Sequence, residues 1–219
     1  MKKRMGFTLV ELIIASLLAS FMAVSLVTIY STANRHIFQN YRSNKVKADV
    51  SLAMRAIRNA TAQATRIDAP AAGNTSSELA VISNMDQLTS CYPIKSGIPA
   101  AWHYFCAVNS GNNKLYYYTG NYGGSCACPG SSCAAPWPPP GGTPNCGVTA
   151  GGTLLATYLD STSVFSRSQN STTIPAVSDA ASVGVRLNST WTPSAGLAIS
   201  QRPVDYGLQS IFSISRAGR

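Results

Sequence analysis

The stretch that decides the fold is Met1–Tyr30, MKKRMGFTLVELIIASLLASFMAVSLVTIY. A short basic head, Lys2, Lys3 and Arg4, ends at Met5-Gly6, and an apolar run opens at Phe7 with no spacer. A single carboxylate, Glu11, interrupts that run close to its start. A secretory signal has a short apolar core followed by a small-residue cleavage site. Here the small residue precedes the core, so a cut after Gly6 would leave the apolar segment on the mature chain. Glu11 is then anomalous: a carboxylate in a membrane helix costs roughly 2.5–3.5 kcal/mol on insertion scales, and such residues usually have a charge partner. Cleavage would supply a positive charge in the form of a new amino terminus on Phe7, at the positive end of a helix.

Gly6-Phe-Thr-Leu-Val-Glu-Leu12 resembles the type III signal of type IV pilins and pseudopilins. The resemblance implies cleavage between Gly6 and Phe7 by a prepilin peptidase and N-methylation of Phe7. It also implies an assembly role for Glu11, compensating the amino terminus of a neighbouring subunit in a filament. The expected location is a bacterial inner membrane, crossed once with the globular domain exported, and then a pilus or pseudopilus. The implied partners are the peptidase, other major and minor pilins, an inner-membrane assembly platform, and membrane lipid before assembly.

Leu12–Asn34 carries no charged residue. As a helix, this stretch spans roughly 34 Å against a hydrocarbon core of ~30 Å. Its polar residues are small, and Ser16, Ser20, Ser25, Thr28 and Ser31 can return their hydroxyls to the helix backbone. Neither Gly nor Pro occurs from Phe7 to Ile67. Major pilins often carry such helix breakers; this chain departs from them there. Beyond the apolar run, Ile37, Tyr41, Val46, Val50, Met54 (or Ala53) and Ile57 recur at helical spacing. These residues predict an apolar stripe that a sheet must cover. With Pro70 and Gly73 as a stop, the helix is expected to run from Phe7 to about Arg66, roughly 90 Å long. A domain of this size cannot enclose that length, so the first half must protrude. The expected organisation is a leader at 1–6, an apolar membrane and assembly helix at 7–34, its amphipathic continuation at 35–66, and an exported β-rich domain at 67–219.

The formal charge of +9 suggests nucleic acid until it is divided along the chain. The leader carries +3 and Arg35–Arg66 carries +6, with Asp49 its one acid, whereas everything from Ile67 onward sums to +1. Positive charge just outside an apolar span meets lipid headgroups or acidic partner surfaces. Nucleic acid is possible as a partner but not indicated.

Strand-like runs follow at Leu79–Ser83, Trp102–Val108, Lys114–Thr119, Leu154–Leu159, Ser182–Leu187 and Leu208–Ser215. The second and third read as a hairpin around a five-residue loop, Asn109–Asn113. No crossover helix follows Arg66, so the sheet is expected to be antiparallel. The fold class is α+β: a lollipop like that of type IV pilins, its long N-terminal helix packed on an antiparallel sheet, with a disulfide-stapled loop. Met54-Arg55-Ala-Ile57-Arg58, the aromatic hairpin, Val183-Gly-Val-Arg-Leu187 and a last strand closing in Arg216 resemble, in their order, PilW-type minor pilins and the J-type minor pseudopilins of type II secretion. The resemblance implies a minor pilin that primes or caps a pilus. The alternatives are a minor pseudopilin of a type II secretion system, or a tip adhesin or DNA-uptake pilin.

Six cysteines, Cys91, Cys106, Cys126, Cys128, Cys133 and Cys146, all follow the apolar helix. An even number in an exported domain reads as disulfides. The rival, zinc on Cys126, Cys128, Cys133 and Cys146, lacks the paired spacing such sites use. The expected pairing is Cys91–Cys106, with the other four stapling the Gly- and Pro-rich loop from Tyr122 to Gly152. Catalytic residues, metal ligands and cofactors are not expected. His36 lies beside the apolar run and His103 within a strand, as a sheet-face residue. The acids Asp68, Glu78, Asp86, Asp160, Asp179 and Asp205 stand singly, and neither a phosphate-binding glycine loop nor a nucleophile elbow occurs. Tyr116, Tyr117, Tyr118 and Tyr122 could form a ligand-stacking face or sheet core.

Overall fold

A computed structural model describes residues 8–86, 89–126, 133, 137–139, 141–168, 181–193 and 202–214. One helix, α1 (Leu9–Gln63), is followed by strands β1 (Arg66–Ala69), β2 (Thr75–Ser76), β3 (Glu78–Ser83), β4 (Ala101–Ser110), β5 (Asn112–Asn121), β6 (Gly152–Leu159), β7 (Phe165–Arg167), β8 (Ala181–Trp191) and β9 (Val204–Ile214). The chain is therefore α+β, with a long N-terminal helix and a sheet whose described pairings are all antiparallel. The sheet runs β1-β3-β4-β5-β6-β8, with β7 and then β2 continuing from β8, β9 also pairing with β8, and a nearly barrel-shaped curve overall.

The first half of α1 is bare. Its most apolar window has a mean hydropathy of 2.5, none of it is buried, and Leu9, Phe21, Met22 and Tyr30 are among its exposed large residues. This is a candidate membrane span by length and composition. The hydroxyls of Ser16, Ser20, Ser25, Thr28 and Ser31 bond to helix carbonyls three or four residues back, as their spacing implied. Those bonds remove the need for polar partners along the run.

The second half of α1 packs on the sheet through Val46, Val50, Ala53, Ile57 and Ala60, all buried. Val50, Ala53, Ile57 and Ala60 join Leu79, Val81, Phe105, Leu115, Val183, Val185 and Leu187 in the main core. The expected stripe is thus correct from Val46 onward, with Ala53 rather than Met54 at its centre. It does not extend to Ile37 and Tyr41, which are 63% and 66% exposed. Near this end of the packed half, the Arg42 guanidinium lies 3.7 Å from the ring centroid of Trp191. The helix ends at Gln63 rather than near Arg66. Thr65 stops it by donating its hydroxyl to the Met85 carbonyl (2.7 Å) and its amide to the Ile82 carbonyl (2.8 Å), which draws the next residues into β1.

The hairpin forms, but its tip is tighter than expected. Pairing continues to Ser110↔Asn112, leaving Gly111 alone at φ +81°, a conformation that favours glycine. The remaining expected strands lie inside β3, β6 and β8 and, as far as Ile214, inside β9, Ser215 lying outside the described residues, while β1, β2 and β7 are additions.

Candidate assembly helix and disulfide-bonded face

Of the processing residues, Gly6 and Phe7 lie outside the described residues. Thr8 is the N-cap of α1, and with Glu11 it forms a capping box. The Glu11 amide donates to Thr8 Oγ1 (3.4 Å), while the Thr8 amide and hydroxyl both donate to Glu11 Oε2 (3.0 Å each). The carboxylate is therefore locally bonded and also exposed, on the first turn of a helix with an apolar surface. An incoming ammonium group can reach it without unfolding anything.

Farther along α1, the acid in the basic half is committed to the domain. Asp49 Oδ2 accepts from Thr157 Oγ1 on β6 (3.1 Å) and lies 3.5 Å from Lys45 Nζ. Arg35, Lys45, Lys47, Arg55 and Arg58 stay exposed, so the helix keeps its positive excess on the solvent side.

The two faces of the β4–β5 hairpin have different roles. One face carries Phe105, Ala107 and Leu115 into the helix-facing core. His103 Nδ1 shares a hydrogen bond with Tyr117 Oη (2.8 Å) and lies 3.2 Å from Thr119 Oγ1. Burial pushes its pKa below the ordinary histidine value. His103 is thus a half-buried sheet residue, as its place in a strand implied. The other face carries Trp102, Tyr104, Cys106, Tyr116 and Tyr118. Tyr116, Tyr118 and Tyr122 are buried sheet core rather than an open stacking surface.

That second face is covered by part of the cysteine-rich segment. Cys106 is bonded to Cys146 and Cys126 to Cys133, with Cα separations of 6.1 and 6.0 Å. Trp137 lies 5.1 Å from the ring of Tyr104 and 6.2 Å from that of Trp102. Tyr118 Oη donates to the carbonyls of Asn145 (3.0 Å) and Val148 (2.7 Å). The described part of the loop is therefore packed against the sheet, not merely closed upon itself.

The expected Cys91–Cys106 bridge is wrong. Cys91 follows the Asp86 turn, next to the Tyr92–Cys126 pairing and the Tyr122 ring. That corner abuts the Ser83↔Ala101 end of the β3–β4 ladder, whereas Cys106 stands opposite Glu78 at the other end. Five strand positions amount to roughly 17 Å, and a disulfide needs Cα atoms ~4.4–6.8 Å apart. Cys91 is disulfide-bonded, but Cys106 is joined to Cys146 instead; Cys128 lies outside the described residues. Since Cys126, Cys133 and Cys146 are in disulfides, their thiolates are not available to the rival zinc site. Among the described residues no group of three or more metal-ligating side chains gathers elsewhere.

One cluster escaped the reading of the sequence. Arg66 Nε donates to Asp68 Oδ1 (2.6 Å) and Arg66 Nη1 to Ser90 Oγ (3.0 Å). Arg167 Nη1 donates to the carbonyls of Ile67 (3.0 Å) and Pro70 (3.3 Å). Burial raises the Asp68 pKa against the pull of Arg66 and Arg167, and burial lowers that of Arg167. The cluster clamps β1 to β7 and to the turn before Cys91. Its one sequence signal is the Arg66-x-Asp68 spacing, which puts both side chains on one face of a strand. Asp86 is likewise local, accepting from the Thr89 amide and hydroxyl. No protein-family model, characterised protein or solved structure matches the chain.

Proposed function

We propose that this protein is a structural subunit of a type IV pilus, a minor pilin that primes or caps the filament, with a lollipop architecture of that kind. The observation that carries the reading is the run Gly6-Phe7-Thr8-Leu9-Val10-Glu11, in which a small residue suited to cleavage precedes an apolar run whose one charge, as far as Asn34, is an acid. The bare half of α1 supports it, being long and apolar enough to hold a subunit in a bilayer and later pack among other helices. The capping box gives Glu11 a role in each state. In the free subunit Thr8 satisfies the carboxylate; on assembly the amino terminus of a neighbour offers a full positive charge instead. The J-type pseudopilin reading shares this anchor and this chemistry.

Incorporation into filaments tests the role of Glu11. Glu11→Ala removes both the cap partner and the charge, whereas Glu11→Gln keeps a capping side chain and removes only the charge. Both variants are expected to insert in the membrane normally and to crosslink poorly to neighbouring pilins. Normal crosslinking of Glu11→Gln would reduce Glu11 to a helix cap and refute the assembly role.

A further inference from the structure

Near the point where the Arg42 guanidinium lies over Trp191, a groove of about 700 Å³ opens between α1 and the start of β9. The helix contributes His36, Gln39, Asn40 and Ser43; the chain entering β9 contributes Arg202, Pro203, Val204 and Asp205. The position of this groove along the helix is what gives it meaning. The charge-free run ends at Asn34, and at 1.5 Å per residue His36 and Ser43 stand roughly 3 and 13 Å beyond it. The run itself is about as long as the hydrocarbon core is thick, and the headgroup layer adds roughly 5–8 Å on each side. The mouth of the groove therefore falls at headgroup height.

Its chemistry suits that level. Arg202 stands exposed on its wall, exposed Arg35 precedes His36 on the helix, Arg42 lies over Trp191 one residue before Ser43, and Lys45 and Lys47 follow on the next turn. The acids facing it are Asp205, on its wall, and Asp49 above, which is bonded to Thr157 and Lys45. Positive charge prevails. Phe38 and Tyr41, both more than half exposed, lie at the same height on the helix, as aromatic side chains do at a membrane interface. Arginine matches phosphate oxygens with two parallel hydrogen bonds.

We propose that this groove binds the phosphate headgroup of an anionic phospholipid, seating the exported domain on the bilayer surface before assembly. The proposal rests on the reading that Leu9–Asn34 spans a bilayer, and it adds the lipid class and the residues that select it.

The test uses the full chain in nanodiscs of phosphatidylcholine alone or of phosphatidylcholine with one-third phosphatidylglycerol, followed by hydrogen–deuterium exchange. Residues 36–43 and 202–206 are expected to exchange more slowly in the anionic discs. Arg35→Glu/Arg202→Glu should abolish that difference, since losing each arginine alone weakens binding to anionic lipid on the order of fivefold and the added carboxylates weaken it further, while exchange across β4 and β5 stays the same. High salt should have the same effect by screening. Equal exchange in both lipids with 12–34 protected in each would overturn the groove and leave the anchor standing. An undiminished lipid effect in the double variant would also overturn it. Loss of protection in 12–34 would refute the anchor and the groove together.

Discussion

Removing the Cys106–Cys146 bridge should cost more than removing Cys126–Cys133, by an amount that follows from the chain length each closes. Their sequence separations are 40 and 7 residues. On the loop-closure relation, these bridges restrict the unfolded chain by about 3.9 and 2.4 kcal/mol at 25 °C. The smaller loop lies within the larger, which shortens the larger closure by only a few residues. A second contribution acts in the same direction. Cys106 is fully buried among Tyr104, Tyr116 and Tyr118, and Cys146 packs on that cluster, so opening this bridge also loosens the cover that Trp137 and the Asn145 and Val148 carbonyls form. The paired variants are Cys106→Ala/Cys146→Ala and Cys126→Ala/Cys133→Ala, each leaving no odd thiol. Guanidinium unfolding of the full chain in detergent, read by tryptophan fluorescence, gives the midpoint and slope for each. The expected difference is about 1.5 kcal/mol or more against the Cys106 pair. An equal or larger loss from the Cys126 pair would refute both the pairing and the covered-face argument.

The buried charge cluster makes a separate prediction. Asp68→Ala removes the carboxylate between Arg66 and Arg167 and should cost about 3 kcal/mol, the scale for breaking a buried pair from one side; an unchanged melting temperature would contradict the clamp. His103 gives a pH dependence. Burial holds its folded pKa below the ordinary value, so the unfolded chain binds a proton that the folded chain resists. Stability should therefore fall as pH drops below about 6.5 toward the lower folded value. Thermal melts over that range should show a shallower slope in His103→Gln, and an identical slope would remove His103 from the account.

The helix was legible because its signals are local. A charge-free run and the period through Val46, Val50 and Ile57 both follow from helix geometry, whereas the Thr8–Glu11 cap was not read from the sequence. The length of helix the sheet would cover was not legible. Ile37 and Tyr41 fit the same period, and only the reach of Trp191 and Val204 leaves them outside. The strands with alternating or apolar runs stood out, whereas Arg66-Ile-Asp-Ala is too short and polar to announce β1. The error in the cysteines has the same origin. Nearness along the chain favoured Cys91 with Cys106, but pairing depends on which end and face of β4 each approaches. Nothing in the composition of the Gly- and Pro-rich loop signalled that Trp137 would return to cover Tyr104.

The central claim is that the chain carries a pilin-type signal, and intact-mass analysis of the full-length gene product, extracted from the membranes of a host with a prepilin peptidase, tests it most directly. The expected mature species begins at Phe7, lacks Met1–Gly6 and carries one added methyl group, and Gly6→Glu should remain uncut. A mature species that still begins at Met1, one cut beyond the apolar run, or normal processing of Gly6→Glu would contradict the account.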